Sequence, residues 1–256
     1  MTGLAYSDEG EGAPVLLAAS LGTTRAMWEP QRSRLRENRR VISFDHRGHG
    51  ESPSLPGPYA LADLVADTMG LLDSLGIESA DVVGVSLGGI VGLALAACHP
   101  ERVRSLVTVN SPVFADEPGF WHGRAAAVRR DGMTVASHGL LGRWYSPATA
   151  AAPSMLIAAT VSEVDRLDQE GYAGCCAAIA GTDLRDRLAD IRCPVLAVHG
   201  LADAVVPAHH AELIATAVPG ARRVPLPSAG HLLTQEVPDA LHELLTAHWN
   251  SQEVTS

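Results

Sequence analysis

Gly84-Val85-Ser86-Leu87-Gly88-Gly89 sits between an apolar run at 81–85 and an unbroken small and apolar stretch at 87–98. The first run reads as a buried strand and the second as a helix, so the six residues form a strand-to-helix turn. G-x-S-x-G in that context places a serine hydroxyl at the tip of a strained turn. Side chains at 84 and 88 would collide with neighbouring backbone. The helix N-terminus and the N–H of Leu87 would face any negative charge that develops beside Ser86. The competing reading, a glycine-rich turn with an incidental serine, leaves the strand–serine–helix order unexplained.

Working outward, further strands are expected at 15–19, 40–44, 103–109, 194–198 and 223–227, with helices at 60–75, 87–98, 211–217 and 238–248. The strands are apolar throughout, as in a sheet covered on both faces. Alternation of strand and helix gives an α/β fold with a mostly parallel central sheet flanked by helices. Residues 112–190 interrupt the alternation. They hold no strand signal and are rich in Ala, Arg and Gly, which reads as several short helices inserted over the strand ends. The expected organisation is a core of 1–111 and 191–256 with a helical lid, 112–190. Residues 252–256 read as a frayed tail.

A serine hydroxyl needs a base to take its proton. In this strand–turn–helix context the partners follow in the order Ser, acid, His. His231, His242 and His248 lie beyond the last expected strand. His242 and His248 fall on a helical pattern and read as surface residues. His231, in Ser228-Ala229-Gly230-His231, falls in a loop and is the candidate base. Asp203, in Gly200-Leu201-Ala202-Asp203, follows the preceding strand and is the candidate acid, holding the His231 tautomer. The candidate oxyanion hole is the backbone N–H of Leu87 with that of Leu21, in the loop Ser20-Leu21-Gly22-Thr23. Asp45-His46-Arg47-Gly48-His49-Gly50-Glu51-Ser52 lacks a third metal ligand and reads as scaffold for the nucleophile loop.

Composition narrows the partners. A net charge of −10 disfavours a phosphate-rich ligand, and the arginines are scattered in at most pairs, so nucleic acid is not expected. Every basic residue is arginine. Cys98, Cys175, Cys176 and Cys193 form no C-x-x-C pair, so they read as small buried or half-buried residues. No apolar run spans a bilayer, and residues 1–12 are polar and acidic, unlike a secretory leader. A cytoplasmic enzyme with neither membrane partner, metal nor organic cofactor is expected, and the sequence leaves its oligomeric state open.

Over nearly its whole length the chain resembles the α/β-hydrolase superfamily, and within it the 3-oxoadipate enol-lactonases. The residues carrying this are Ser20-Leu21-Gly22-Thr23 with Met27-Trp28, Asp45 to Ser52, Gly57-Pro58-Tyr59, Trp121-His122-Gly123-Arg124, Arg143-Trp144-Tyr145 and Gly171-Tyr172-Ala173-Gly174-Cys175-Cys176. The resemblance implies an α/β-hydrolase fold and ring opening of a lactone that carries a free carboxylate, in aromatic-compound catabolism. Trp121 and Arg124, three apart on one helix face, are the expected substrate-binding pair: a guanidinium beside an indole takes a small carboxylate while excluding water. The chain departs from the family at the nucleophile, where Leu87 replaces the usual Met, and in a short N-terminus that leaves the first strand missing or stunted. Two alternatives remain at this point: another carboxylesterase or lactonase on the same frame, and a receptor that has kept the hydrolase frame.

Overall fold

A computed structural model describes residues 3–253. Seven strands form one sheet in the order β1-β3-β2-β4-β5-β6-β7. They are β1 (Tyr6–Glu9), β2 (Pro14–Ala18), β3 (Arg40–Phe44), β4 (Ala80–Val85), β5 (Val103–Val109), β6 (Val195–Gly200) and β7 (Arg222–Leu226). All pairings are parallel except β1 with β3, where Tyr6 faces Phe44 and Glu9 faces Val41. The first strand therefore exists, four residues long. Its alternating exposure and polar sequence, YSDE, hide it from a search for apolar runs.

The central strands β2, β4, β5 and β6 are buried almost end to end, as expected of parallel strands covered on both faces. The expectation fails at β7, whose Arg222, Arg223 and Pro225 are exposed because this strand forms the sheet edge. The helices in chain order are α1 (Glu29–Leu35), α2 (Leu61–Ser74), α3 (Leu87–Cys98), α4 (Pro118–Asp131), α5 (Thr134–Ser137), α6 (Leu140–Trp144), α7 (Pro147–Ala151), α8 (Met155–Glu163), α9 (Gln169–Ala180), α10 (His209–Ala217), α11 (Leu233–Glu236) and α12 (Pro238–Glu253). Helix α3 is buried on every side, from Leu87 to Ala97, because it packs beneath the sheet beside β4 and β5.

Helices α4 to α9 all lie between β5 and β6. They are not uniformly short: α4 has 14 residues and α9 has 12, and these two pack on each other. Helix α9 seats on the core by close backbone approach. A Cβ on Gly171 would lie 2.3 Å from the Cα of Gly48, and one on Gly48 would lie 2.1 Å from the Cα of Gly171. Only two glycines fit that contact.

Several smaller expectations need correction. His248 is buried at 2% exposure, since α12 turns that face toward the sheet rather than toward water. Cys98 is exposed and the other three cysteines are buried; all four are free. Of the expected frayed tail, Gln252 and Glu253 continue α12, and residues 254–256 lie outside the described residues. No helix among the described residues is long and apolar enough to cross a membrane.

Candidate active site

Ser86 stands between β4 and α3 with φ 52° and ψ −112°. A non-glycine residue at such a positive φ is strained, and the surrounding backbone holds it there. The crowding is direct. A Cβ on Gly84 would lie 2.3 Å from the carbonyl carbon of Gly88, and one on Gly88 only 2.1 Å from the carbonyl oxygen of Ala18. The Ser86 N–H donates to Val109 O at 2.9 Å, tying the turn to β5.

His231 and Asp203 come from the loops after β7 and β6. His231 Nδ1–H donates to Asp203 Oδ2 at 2.9 Å, with both side chains 1% exposed. The other carboxylate oxygen of Asp203 accepts from the N–H groups of Val205 and Val206 at 2.7 and 3.2 Å, which fixes the carboxylate plane. With Nδ1 committed as donor, the neutral ring presents Nε2 as an acceptor. Ser86 and His231 line one cavity of about 420 Å3, together with Ser20, Leu21, Trp121 and Arg124. The structure thus gathers Ser86, His231, Leu21, Trp121 and Arg124 around a single space. Asp203 lies behind His231, and Leu87 opens α3 next to Ser86.

The alpha/beta hydrolase fold family matches residues 13–236. The chain belongs to that family. Within it, the chain is 31% identical to 3-oxoadipate enol-lactonase 2 of Acinetobacter baylyi over 91% of this chain and 87% of that protein. It is 33% identical to a putative carbamate hydrolase RutD of Azorhizobium caulinodans, over 94% and 93% of the two chains. The crystal structure of the enol-lactonase from Burkholderia xenovorans superposes with a TM-score of 0.91 at 34% identity, covering 96% of each chain. At this level the chain is an α/β-fold hydrolase that stands near both enol-lactonases and carbamate hydrolases.

In this hydrolase the Ser20–Thr23 loop is held on both sides of Leu21. Ser20 N–H donates to Met27 Sδ at 3.4 Å, Gly22 N–H to His49 Nε2 at 3.0 Å, and Thr23 N–H to Ser20 O at 3.2 Å. Leu21 N–H has no partner among the described residues, and Leu87 N–H, first in its helix, has no intrahelical acceptor. His46 Nε2–H donates to Ala19 O at 3.0 Å. The loop at 45–52 is therefore scaffold, but it braces the Ser20–Thr23 loop rather than the nucleophile turn. Burial drives the His46 pKa down to about 3, with the nearby His49 ring adding to it, and burial also lowers His49. Both rings stay neutral, as their acceptor and donor roles require.

Asn110 was not singled out in the sequence. It follows β5 with φ 46°, and its side chain ties the end of β6 to the loop after β7. Its Nδ2 donates to Gly230 O at 2.9 Å and His231 O at 2.8 Å, while Gly200 N–H donates to its Oδ1 at 2.9 Å. The signal available was Asn-Ser-Pro immediately after a buried strand, where Asn tolerates a left-handed backbone. Glu236 was missed as well: it accepts the Gly230 N–H at 2.7 Å and Thr149 Oγ at 2.8 Å, which pins the His231 loop to α7.

Trp121 and Arg124 both lie on α4 and both face the cavity. The aromatic partner of the guanidinium differs from the expected one. Arg124 lies over the ring of Tyr172, 5.6 Å from its centroid, and its Nε–H donates to Tyr172 Oη at 2.6 Å; Trp121 packs instead against Phe120. Arg143 from α6 lines the same cavity. On another part of the wall, Asp116 accepts from His210 Nε2–H at 2.8 Å and stands 3.2 Å from His209 Nε2. These three side chains could converge on a cation by distance. However, His210 Nδ1 accepts from Val113 N–H at 3.3 Å, so the proton sits on Nε2, the atom a metal would need bare. The trio is a hydrogen-bonded latch between α10 and the segment after β5.

Proposed function

We propose that the protein is a serine hydrolase that opens the ring of 3-oxoadipate enol-lactone to give 3-oxoadipate, with residues 112–190 as its lid over a core of 1–111 and 191–256. The observation that carries this is one cavity lined by Ser86, by a His231 already oriented by Asp203, and by an Arg124 that no carboxylate neutralises among the described residues. Similarity to two enol-lactonases over most of the chain supports the substrate.

In this mechanism Ser86 Oγ attacks the lactone carbonyl and His231 Nε2 takes its proton. The N–H groups of Leu21 and Leu87 receive the charge on the carbonyl oxygen. Collapse breaks the ring carbon–oxygen bond. The leaving group is an enolate, which takes from His231 the proton drawn from Ser86 and becomes the ketone of 3-oxoadipate, so His231 is again a free base and ring opening does not reverse. Water deprotonated by His231 then attacks the acyl-Ser86 ester, releasing the second carboxylate and restoring the serine. Trp121 and Arg124 hold the substrate's free carboxylate end.

Loss of enol-lactone absorbance, followed beside hydrolysis of p-nitrophenyl acetate, tests the reading. Rapid turnover of the lactone and slow turnover of the ester are expected. Ser86→Ala should lower both by about 10^4-fold or more with the folded circular dichroism spectrum intact. Residual activity near the wild type would remove Ser86 from the chemistry. An intact Ser86 dependence with poor lactone turnover would move the substrate to another small ester or carbamate, the reading that 33% identity to a putative RutD carbamate hydrolase favours.

A further inference from the structure

Most arginines of the chain are paired with Asp or Glu. The two in the cavity are not. Arg124 bonds only to Tyr172 Oη and, through Nη2, to Ala136 O at 2.9 Å. Arg143 bonds only to main-chain carbonyls, Ala136 O at 3.4 Å and His138 O at 3.3 Å. Because both guanidiniums reach the one carbonyl of Ala136, they are close neighbours, and no carboxylate among the described residues lies within ion-pair distance of either. The acids on the cavity wall are spoken for or outward: Asp116 is held by His209 and His210, and Glu117 is exposed. Burial and the neighbouring Arg124 charge both pull the Arg143 pKa down, the mark of two like charges crowded together in a partly dry space.

Two half-buried cations held by neutral acceptors repel each other until an anion lies between them. Carbonyl acceptors occupy only part of each fork and leave N–H donors for a ligand. Resting on the proposed hydrolysis of a carboxylate-bearing substrate, we propose that Arg124 and Arg143 together form the carboxylate subsite, gripping one ligand carboxylate from two sides. Arg143 is then a residue that sets specificity. Tyr172 and Ala136 position the pair, and because Arg124, Arg143 and Ser86 line one cavity of about 420 Å3, the bound carboxylate and the scissile carbonyl belong to one small ligand. The ligand class is a short-chain acid esterified or lactonised at its far end.

The experiment uses two activated esters of similar length, mono-p-nitrophenyl glutarate and p-nitrophenyl butyrate, so that it does not depend on the enol-lactone. The quantity read is the ratio of kcat/KM for the charged ester over the neutral one. Wild type should favour the charged ester. Arg143→Gln should lower the ratio about 10- to 100-fold, through KM, and Arg143→Lys should fall between the two, since an ammonium keeps the charge but loses the fork. A ratio unchanged in Arg143→Gln, or equal losses on both esters, overturns the proposal. Should Arg143→Gln fail to fold, glutarate competition against p-nitrophenyl butyrate hydrolysis by the wild type decides. Competitive inhibition that weakens in Arg143→Lys supports the subsite, and no inhibition at tens of millimolar glutarate overturns it. Discrimination by charge alongside poor enol-lactone turnover would retain the subsite and discard only the lactone.

Discussion

At the scale of single residues, the site depends on atoms that leave no room for substitution. Gly88→Ala puts a methyl against the Ala18 carbonyl, backbone that cannot swing aside. The expected result is a loss of more than about 3 kcal/mol of unfolding free energy in urea denaturation, or no soluble protein, while activity on any folded fraction also falls. The buried imidazoles give a second prediction. His46 takes no proton in the folded state until pH nears 3, and His248, also depressed by burial, until about 4. An unfolded chain protonates both near 6.5. Between those values the unfolded state binds more protons, so stability rises with pH across the window and drains away as pH falls below 6.5. Denaturant midpoints at pH 5 should lie below those at pH 7, with His46 alone worth on the order of 2 kcal/mol. His46→Gln should flatten the profile; an unchanged slope would show that other groups set it. The triad candidates were legible at this scale because motif, order and loop placement agree. Asn110 and Glu236 were not, since their work is to join loops distant in sequence, which local pattern does not encode. The partner of Arg124 was misread for the same reason: Trp121 is three residues away in sequence, but Tyr172 is the ring that the packing of α9 on α4 brings to the guanidinium.

At the scale of elements, six of the seven strands could be placed within a residue or two, because the buried ones are runs of apolar and β-branched side chains. The short antiparallel β1 escaped because half of its residues face water and its partner, β3, lies more than thirty residues on. The histidine pair at 46 and 49 was placed on a supporting loop, but which loop it supports is a tertiary fact. Asn110 shows how elements depend on one another here. By joining the ends of β5 and β6 to the His231 loop, it holds the spacing between Asp203 and His231. Asn110→Ala removes three buried bonds and leaves Gly200 N–H without its acceptor. A stability loss of about 2–4 kcal/mol and a fall in kcat larger than any rise in KM are expected. Equal kcat in a stably folded Asn110→Ala protein would mean that the loops keep their spacing unaided.

Across the whole molecule, charge is arranged by location rather than by amount. The chain carries −10 overall, yet its cavity holds two arginines without carboxylate partners among the described residues. An anionic substrate is therefore repelled at long range and attracted only within the cavity. Net charge read from composition bears on the surface and said nothing of the interior. The same division applies to the fold: a mostly parallel sheet flanked by helices was readable from alternating elements, whereas the helical insertion, whose residues line much of the cavity, offered little period to read.

The paired glycines at 48 and 171 have a bearing on how this scaffold can be recombined. Helix α9 touches the core where neither chain has a side chain, so the two positions form a single lock-and-key joint split between segments more than a hundred residues apart. A chimera that takes α4 to α9 from a relative must bring a glycine at the position of Gly171, or the transplanted helix will ride up by the thickness of a methyl group. That lift would carry Tyr172, and with it the Arg124 fork, out of place. Exchange of substrate preference by swapping whole insertions is thus open to donors that share the joint and closed to those that do not.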